Sequence, residues 1–365
     1  PFANLVAIPV VELVVIPATL LGVVGSFLLP DSLAAWPFLL AAKAMSILWA
    51  LLELLARVEG SQWSQHNPPL WTPGAALVGV LLLLAPRGVP ARWLGLVWLL
   101  PMFLVRPALP APGEVRLTLL DVGQGLAVVA QTAGHTLVYD TGARLSARFD
   151  AGRAVIVPYL RHTGAGRVDT LIVSHGDNDH IGGSASLLAA MPMTRLLSSV
   201  PERLANAEAC QSGQGWEWDG VRFEMLHPQR DSPLANNNLS CVLRIVSPYG
   251  RALLPGDIAA RAERAILLEQ KGQLAAEVLV VPHHGSKSSS TETFLDTVRP
   301  RVALLPVGYR NRYHHPHPAI VARYVERGIA LEDSATAGAI SLRLEATGLL
   351  IDRYRDTQRR YWHGQ

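Results

Sequence analysis

Charge is scarce over the first 113 residues of this chain and ordinary over the rest. Only five of its 32 basic residues (Lys43, Arg57, Arg87, Arg92, Arg106) and four of its 29 acidic ones (Glu12, Asp31, Glu53, Glu59) precede Glu114. This break constrains the fold first, because long uncharged runs in lipid must satisfy their backbone polar groups internally, which helices do. Leu5 to Leu29, interrupted by Pro9, Glu12 and Pro17, and Leu33 to Leu55, carrying Lys43 and Glu53, are each long enough to cross a bilayer. Leu70 to Ala85 and Trp93 to Val105 are shorter and need flanking residues, bilayer thinning or a re-entrant path. Between them lies a short loop, Pro86-Arg-Gly-Val-Pro-Ala-Arg92, with two arginines. A cytoplasmic place for that loop sends the chain after Val105 out on the opposite, extracytoplasmic face. Glu12, Lys43 and Glu53 are costly in lipid, so they either line a polar path or pair and snorkel. The chain begins on Pro1 with no leader-like segment, which reads as the C-terminal part of a larger polytopic protein.

Arg106-Pro-Ala-Leu-Pro-Ala-Pro-Gly113 has linker composition and marks a boundary. The expected division is 1–105 membrane, 106–113 linker and 114–365 a second domain. After the linker stand 27 basic against 25 acidic residues, which excludes a strongly basic nucleic-acid domain; any DNA contact must rest on local arginines. Apolar runs predict strands at 115–120, 126–130, 136–139, 170–173, 221–226, 241–246, 252–254, 278–281, 302–305 and 340–344. Helical spacing appears at 181–190, 258–269, 291–298 and 318–326. Interspersed in this way, they suggest an α/β fold with sheets sandwiched by helices. The two cysteines, Cys210 and Cys241, are either a disulfide or two buried thiols.

One strand empties directly into chemistry. Leu171-Ile-Val-Ser-His-Gly-Asp-Asn-Asp-His180 places His175, Asp177, Asp179 and His180 just past an apolar run. Imidazole nitrogens mixed with carboxylate oxygens suit Zn²⁺ or Mn²⁺, with Mg²⁺ possible as oxygen ligands increase. The spacing predicts two ions, His175 and Asp177 on one, Asp179 and His180 on the other. Other strand ends carry Asp121-Val-Gly-Gln-Gly125, Asp140-Thr-Gly142, Pro-Gly-Asp257 and Pro-His283-His284-Gly-Ser286, and would converge along one edge of a shared sheet. A two-metal hydrolytic site is the expectation. His135, His162 and His227 read as structural.

These motifs in this order, with Asn237-Asn-Leu-Ser240 between them, resemble the metallo-β-lactamase superfamily and, with the preceding apolar segments, the C-terminal part of the ComEC competence family. The resemblance implies an αββα metallo-β-lactamase sandwich preceded by transmembrane helices, a periplasmic hydrolase domain at the inner membrane and a role in DNA uptake during natural transformation. It implies a metal-dependent nuclease that degrades the non-imported strand while a single strand enters a channel, working with other competence proteins. It also implies two divalent ions, with Asp257 bridging, His284 a late ligand and Asp179 a ligand or a contact to the nucleophilic water. His283, Asp121 and Asp140 would support from behind, while Asn237, Asn238, Ser240 and Ser286 would contact substrate or hold loops. Asn311-Arg-Tyr-His-His315-Pro-His317 is similar to the family's Asn-x-Tyr-Gly-His-Pro-His, making His315 a phosphate contact or general acid. The segment Ser286 to Ser290 either binds phosphate through its amides or caps a helix. Arg310, Arg312 and the stretch from Arg353 to Trp362 offer cations and aromatics for a single strand.

The sequence departs from the superfamily's His-x-His-x-Asp-His pattern at Asp177, where a histidine is usual, and offers Asn238 and Ser240 where many relatives place a histidine. Both changes weaken the preference for zinc. They also open a second class of function, a DNA-guiding transport module with a degenerate metal site, and the breadth of substrates on the superfamily's fold opens a third, a hydrolase of another ester.

Overall fold

The segment Val168–Val173 is apolar at consecutive positions because both of its faces are covered. In the computed structural model, which describes residues 2–58, 65–270 and 272–360, Ile172 faces a core between two sheets, while Leu171 and Val173 face a second core under helices. One sheet has eight strands, in the spatial order Gly348–Arg353, Ile340–Glu345, Val115–Leu119, Val128–Gln131, Thr136–Tyr139, Val168–Val173, Met193–Ser198 and Glu208–Ala209. The other has seven, in the order Ala330–Asp333, Val302–Leu305, Val278–Val280, Gly250–Leu254, Val242–Ser247, Val221–His227 and Gly215–Trp218.

Leu117, Leu137, Tyr139 and Ile172 of the first sheet meet Phe223, Leu243, Leu254 and Val280 of the second in the central core. Fully burying each such side chain contributes roughly 1.5–3 kcal/mol. Leu160 and Leu187 bring the helices Val157–His162 and Ser184–Ala190 onto the outer face of the first sheet. Ile266, Phe294 and Ile320 do the same for Ala260–Glu269, Glu292–Val298 and Pro318–Glu326 on the second. The layering is therefore helix, sheet, sheet, helix, the αββα sandwich that the resemblance implies. The helix expected over 181–190 is divided into a turn at Asn178–Ile181 and a helix from Ser184, because at Gly183 the backbone of Thr141 and Gly152 approaches too closely for any side chain.

In each sheet a parallel pair runs toward the same end of the sandwich: Thr136–Tyr139 beside Val168–Val173, and Gly250–Leu254 beside Val278–Val280. Their C-terminal ends carry Asp140, Ser174-His175, Asp257 and His283-His284. The motif-bearing strand ends thus converge from two facing sheets rather than along one. Near that end Cys210 and Cys241 form a disulfide joining the sheets, with Cα atoms 6.0 Å apart.

The chain divides between Gln65 and His66 into two compact units. In the first, Phe2–Leu28 and Asp31–Ala56 are long and apolar enough to cross a membrane. Ala18, Gly22 and Gly25 of one helix and Ala34, Ala41 and Leu48 of the other are buried; all but Leu48 are small, the composition that lets helices in lipid pack closely. A π-helical turn, Val11–Val15, carries Glu12 between Pro9 and Pro17. Glu53 accepts a hydrogen bond from Trp49 Nε1 at 2.8 Å on its own helix, the pairing alternative to a polar path. In the second unit the apolar helices Thr72–Leu84 and Leu94–Leu104, of 13 and 11 residues, precede the sandwich. Each rises only about 20 Å or less, short of a hydrocarbon core of about 30 Å.

Candidate metal centre

Asp140 ends its strand in the left-handed region, φ 60°, and is fully buried. Its Oδ1 accepts from Ser174 N and its Oδ2 from Ser174 Oγ, both at 2.6 Å. The same Oδ2 accepts from His180 Nδ1 at 2.8 Å. A carboxylate can only accept, so the His180 proton sits on Nδ1 and the Nε2 lone pair faces inward. His284 is fixed in the same way by a carbonyl, its Nδ1 donating to Pro306 O at 2.7 Å. His283 and His284 both take φ 52°, a conformation costing on the order of 1–3 kcal/mol for residues other than glycine and typical of functional sites.

The two inward lone pairs, His180 Nε2 and His284 Nε2, stand 3.2 Å apart. Around them lie Asp257 Oδ1, 3.3 Å from His180 Nε2, Asp257 Oδ2, 3.5 Å from His284 Nε2, and Asp179 Oδ2, 3.3 Å from His284 Nε2. His175 completes the set. Its Nδ1 meets Ser174 Oγ at 3.1 Å and Ser240 Oγ at 3.4 Å. Those hydroxyls already donate to Asp140 Oδ2 and to Asn237 O, so they accept from His175, whose Nε2 is buried without a hydrogen-bond partner. With the three imidazoles neutral, their lone pairs and two carboxylates form an acceptor-only cluster that a bound metal ion, or added protons, satisfies. Two ligands about 2.0–2.1 Å from a shared tetrahedral ion would stand about 3.3 Å apart, close to the observed nitrogen separation. The donor set therefore fits divalent metal. Among the described residues two groups have ligand atoms within 4.8 Å of one another: His175, His180 and Asp257, and Asp179, His180 and His284.

The electrostatics agree. Burial disfavours a charged His180, but the Asp257 and Asp140 carboxylates outweigh it and hold the ring well above the usual histidine range. Burial likewise opposes ionised Asp257, yet His180 and His284 hold it well below the usual carboxylate range. Each shift records a site that stabilises positive charge between fixed negative groups.

Other residues singled out in the sequence lie at varied distances from this centre. Asp177 stands at the rim, its side chain 61% exposed and its Oδ2 3.5 Å from His175 Nε2; it belongs to neither group. His283 Nε2 is 3.8 Å from Asp257 Oδ2 and 3.5 Å from Asn237 Nδ2. The His315 ring lies 6.3 Å from the His283 ring. Asn311 clamps the His315 backbone, accepting from its N–H at 3.0 Å and donating to its carbonyl at 2.7 Å.

Ser240 is buried and accepts from Asp257 N at 3.1 Å, so it positions two cluster residues at once. Gly256, φ 59°, makes that approach possible: a Cβ there would meet Ser174 and Ser240 Cβ atoms at 2.9 Å. Asn238 Oδ1 instead accepts from Ala259 N and Ala262 N, holding the helix that follows Asp257. Asp121 accepts from Arg355 Nη2 at 2.9 Å and Gly123 N at 3.3 Å, away from the cluster.

The amides of Ser286 and Ser289 donate to His283 O and Ser286 O, and those of Ser290 and Thr291 to the buried Glu263 carboxylate. That segment therefore caps its helix through Glu263 and has none of these four amides free for phosphate. Ser286 Oγ contacts Ser288 Oγ, which reaches His283 Nδ1 at 3.3 Å. Near the C-terminus Arg353 is paired with Glu332, and Tyr361 and Trp362 lie outside the described residues. His227 is buried, donating from Nε2 to Asn238 O at 2.8 Å. Ser174 was not anticipated: a serine beside a histidine carries no signal until Asp140 is brought to it from another strand.

Residues 120–309 match the metallo-beta-lactamase superfamily and residues 1–90 the competence protein family. Competence protein ComA of Neisseria gonorrhoeae is 34% identical over 362 residues, covering 99% of this chain and 50% of that protein. Uncharacterized protein YcaI of Escherichia coli is 33% identical over 370 residues, covering 100% and 47%. ComE operon protein 3 of Bacillus subtilis is 30% identical over 271 residues, covering 66% and 34%. The chain thus spans about half the length, or less, of the curated relatives it matches. With its αββα layers and its inward-facing His/Asp cluster, this chain belongs to the metallo-beta-lactamase superfamily, its sandwich preceded by a membrane-type region that matches the competence proteins.

Proposed function

We propose that this chain is a metal-dependent phosphodiesterase acting on DNA at the inner membrane, as part of DNA uptake in natural transformation. Residues 1–105 form the end of a channel domain in this reading, 106–113 a linker and 114–365 the hydrolase, on the periplasmic side. Its substrate is the strand that is not imported, and other competence proteins deliver the DNA. The observation that carries the chemistry is the pair of inward Nε2 atoms 3.2 Å apart, both with Nδ1 protons committed elsewhere, flanked by Asp179 and Asp257. The match of residues 1–90 to competence proteins carries the setting.

Asp179, His180 and His284 would hold one ion, His175 and Asp257 with the rim carboxylate Asp177 would hold the other, and His180 borders both groups. With a hard oxygen at Asp177 in place of nitrogen, Mn²⁺ is favoured over Zn²⁺, and Mg²⁺ is admissible. When bound, divalent ions would supply a more acidic water and positive charge for a phosphodiester's attacking and leaving oxygens. Asp140 and the Pro306 carbonyl fix the orientation of His180 and His284 through Nδ1, so that each Nε2 would face an ion. Ser240 fixes Asp257 and His175 together. Burial holds His315 below the usual histidine value, so its neutral ring is a hydrogen-bond partner for a phosphate oxygen, held by Asn311.

Labelled DNA incubated with the chain in detergent and Mn²⁺, beside an Asp179→Ala, His180→Ala double variant, tests this reading. Cleavage by the wild type alone supports it; no cleavage, or equal cleavage by both, sinks it. A DNA-guiding module with a weakened metal site is the second reading, favoured by the exposure of Asp177 and the structural employment of Asn238. Metal-independent DNA binding without cleavage would select it.

A further inference from the structure

The loop from Gly308 to His315 carries two large aromatic side chains that the metal centre does not employ. Tyr309 is 70% exposed and Tyr313 52%. Each lies under an arginine of the same loop, Arg310 at 5.1 Å from the Tyr309 ring centroid and Arg312 at 4.9 Å from that of Tyr313. Arg312 Nη2 also donates to the Tyr313 hydroxyl at 2.7 Å. Arg353 and Arg355, by contrast, are neutralised by Glu332 and Asp121.

Burial of the tyrosines does not hold this loop in place; backbone clamps do. Asn311 donates to Gly308 O at 3.1 Å and to His315 O at 2.7 Å, and Gly308 N donates to Gln124 Oε1 at 3.2 Å. Beside it opens a cleft of about 570 Å³ with an apolar floor of Val307, Leu331 and Ala335 and a wall of His314 and His315. His315 links the loop to the centre, its ring stacked at 6.1 Å on Tyr313 and 6.3 Å from His283, whose Nε2 is 3.8 Å from Asp257. A run of ring contacts therefore leads from the cation-backed face of Tyr313 through His315 and His283 to the acidic centre.

A duplex hides its base faces in its own stack, whereas a single strand presents them. Stacking on aromatic rings accepts every base, and adjacent guanidinium groups attract the backbone phosphates. We propose that Tyr309 and Tyr313, with Arg310 and Arg312, form a base-stacking subsite for nucleotides flanking the scissile phosphate, which makes the centre selective for single-stranded DNA. The inference rests on the phosphodiesterase reading above.

The test uses the full chain in lipid nanodiscs with a chelator present, so that binding is read without turnover. Labelled oligothymidylate is compared with an oligomer of equal length built from abasic residues, and with a duplex. The wild type is expected to bind the base-bearing strand about five- to 150-fold more tightly than the abasic one (~1–3 kcal/mol for one stacked base). Tyr309→Ala with Tyr313→Ala reduces that ratio toward one, and Tyr309→Phe with Tyr313→Phe preserves it. Equal binding of base-bearing and abasic strands by the wild type overturns the subsite, and needs no variant to fold. An unchanged ratio in the alanine variant overturns it too. Cleavage in Mn²⁺ is read separately: discrimination in binding without cleavage of either oligomer counts against the phosphodiesterase and for the stacking surface.

Discussion

The two sides of the His/Asp cluster differ in how directly the protein fixes them. His180 and His284 are anchored through Nδ1 by groups that can only accept, Asp140 and the Pro306 carbonyl, at 2.8 and 2.7 Å. His175 is anchored at second hand by two hydroxyls at 3.1 and 3.4 Å, each of which can turn. Beside it Asp177 is mostly in solvent, whereas Asp179 points at His284. A carbonyl or carboxylate sets a tautomer by itself; a hydroxyl sets one only while its own proton stays committed elsewhere. One side is therefore built before a ligand arrives, and the other is completed by it.

The largest effects should follow that difference. His180 belongs to both geometric groups, so His180→Ala is expected to abolish bound metal and hydrolysis together, while His175→Ala removes one ion of two. Metal content by mass spectrometry on purified protein reads this; equal loss in the two variants would break the asymmetry. One step smaller, Asp140→Ala should weaken metal binding by about 10- to 100-fold, the usual effect of removing a group that orients a ligand histidine. Ser240→Ala should cost less, because Ser174 remains to accept from His175. Metal titration of both variants would contradict the direct-versus-relayed distinction if Ser240→Ala were the more damaging. Smaller again, Asp177→His should leave the protein folded and raise the affinity for Zn²⁺ relative to Mn²⁺, since a borderline nitrogen replaces a hard oxygen at the open side. An unchanged metal preference would remove Asp177 from the centre.

How much of this was legible in the sequence depends on burial. The strands marked by apolar runs all lie inside the two sheets. Those that escaped notice include all four edges, Gly348–Arg353, Glu208–Ala209, Ala330–Asp333 and Gly215–Trp218, and Met193–Ser198 beside one edge. Edge strands are half-exposed and so lack a continuous apolar run. The residues gathered at the centre were visible because histidine and aspartate at strand ends are chemically conspicuous. Their grouping was legible in part. Adjacent Asp179 and His180 read as one ion's pair and do fall in one group with His284, but His180 also stands where the two sheets' strand ends meet and reaches the group of His175 and Asp257. Ser174 and Glu263 stayed hidden because their roles come from partners on other elements, Asp140 and the Ser290–Thr291 amides.

The relayed side has one further weakness, and it is a matter of pH. His227 supports the turn that carries Ser240, donating from Nε2 to Asn238 O, while its Nδ1 is buried without a hydrogen-bond partner. Burial holds its pKa below the usual value of about 6.5, because a charged ring would need an acceptor that Nδ1 lacks. The unfolded chain takes up the proton first, so this contribution to stability is present above about pH 6.5 and lost as pH falls through the lowered folded value. His227→Gln keeps an amide donor for Asn238 and removes the titrating group. Its melting temperature should therefore fall less between pH 7 and pH 5 than that of the wild type, by a margin smaller than any effect above. If the two profiles are parallel, the buried His227 ring does not contribute to the loss of stability in acid.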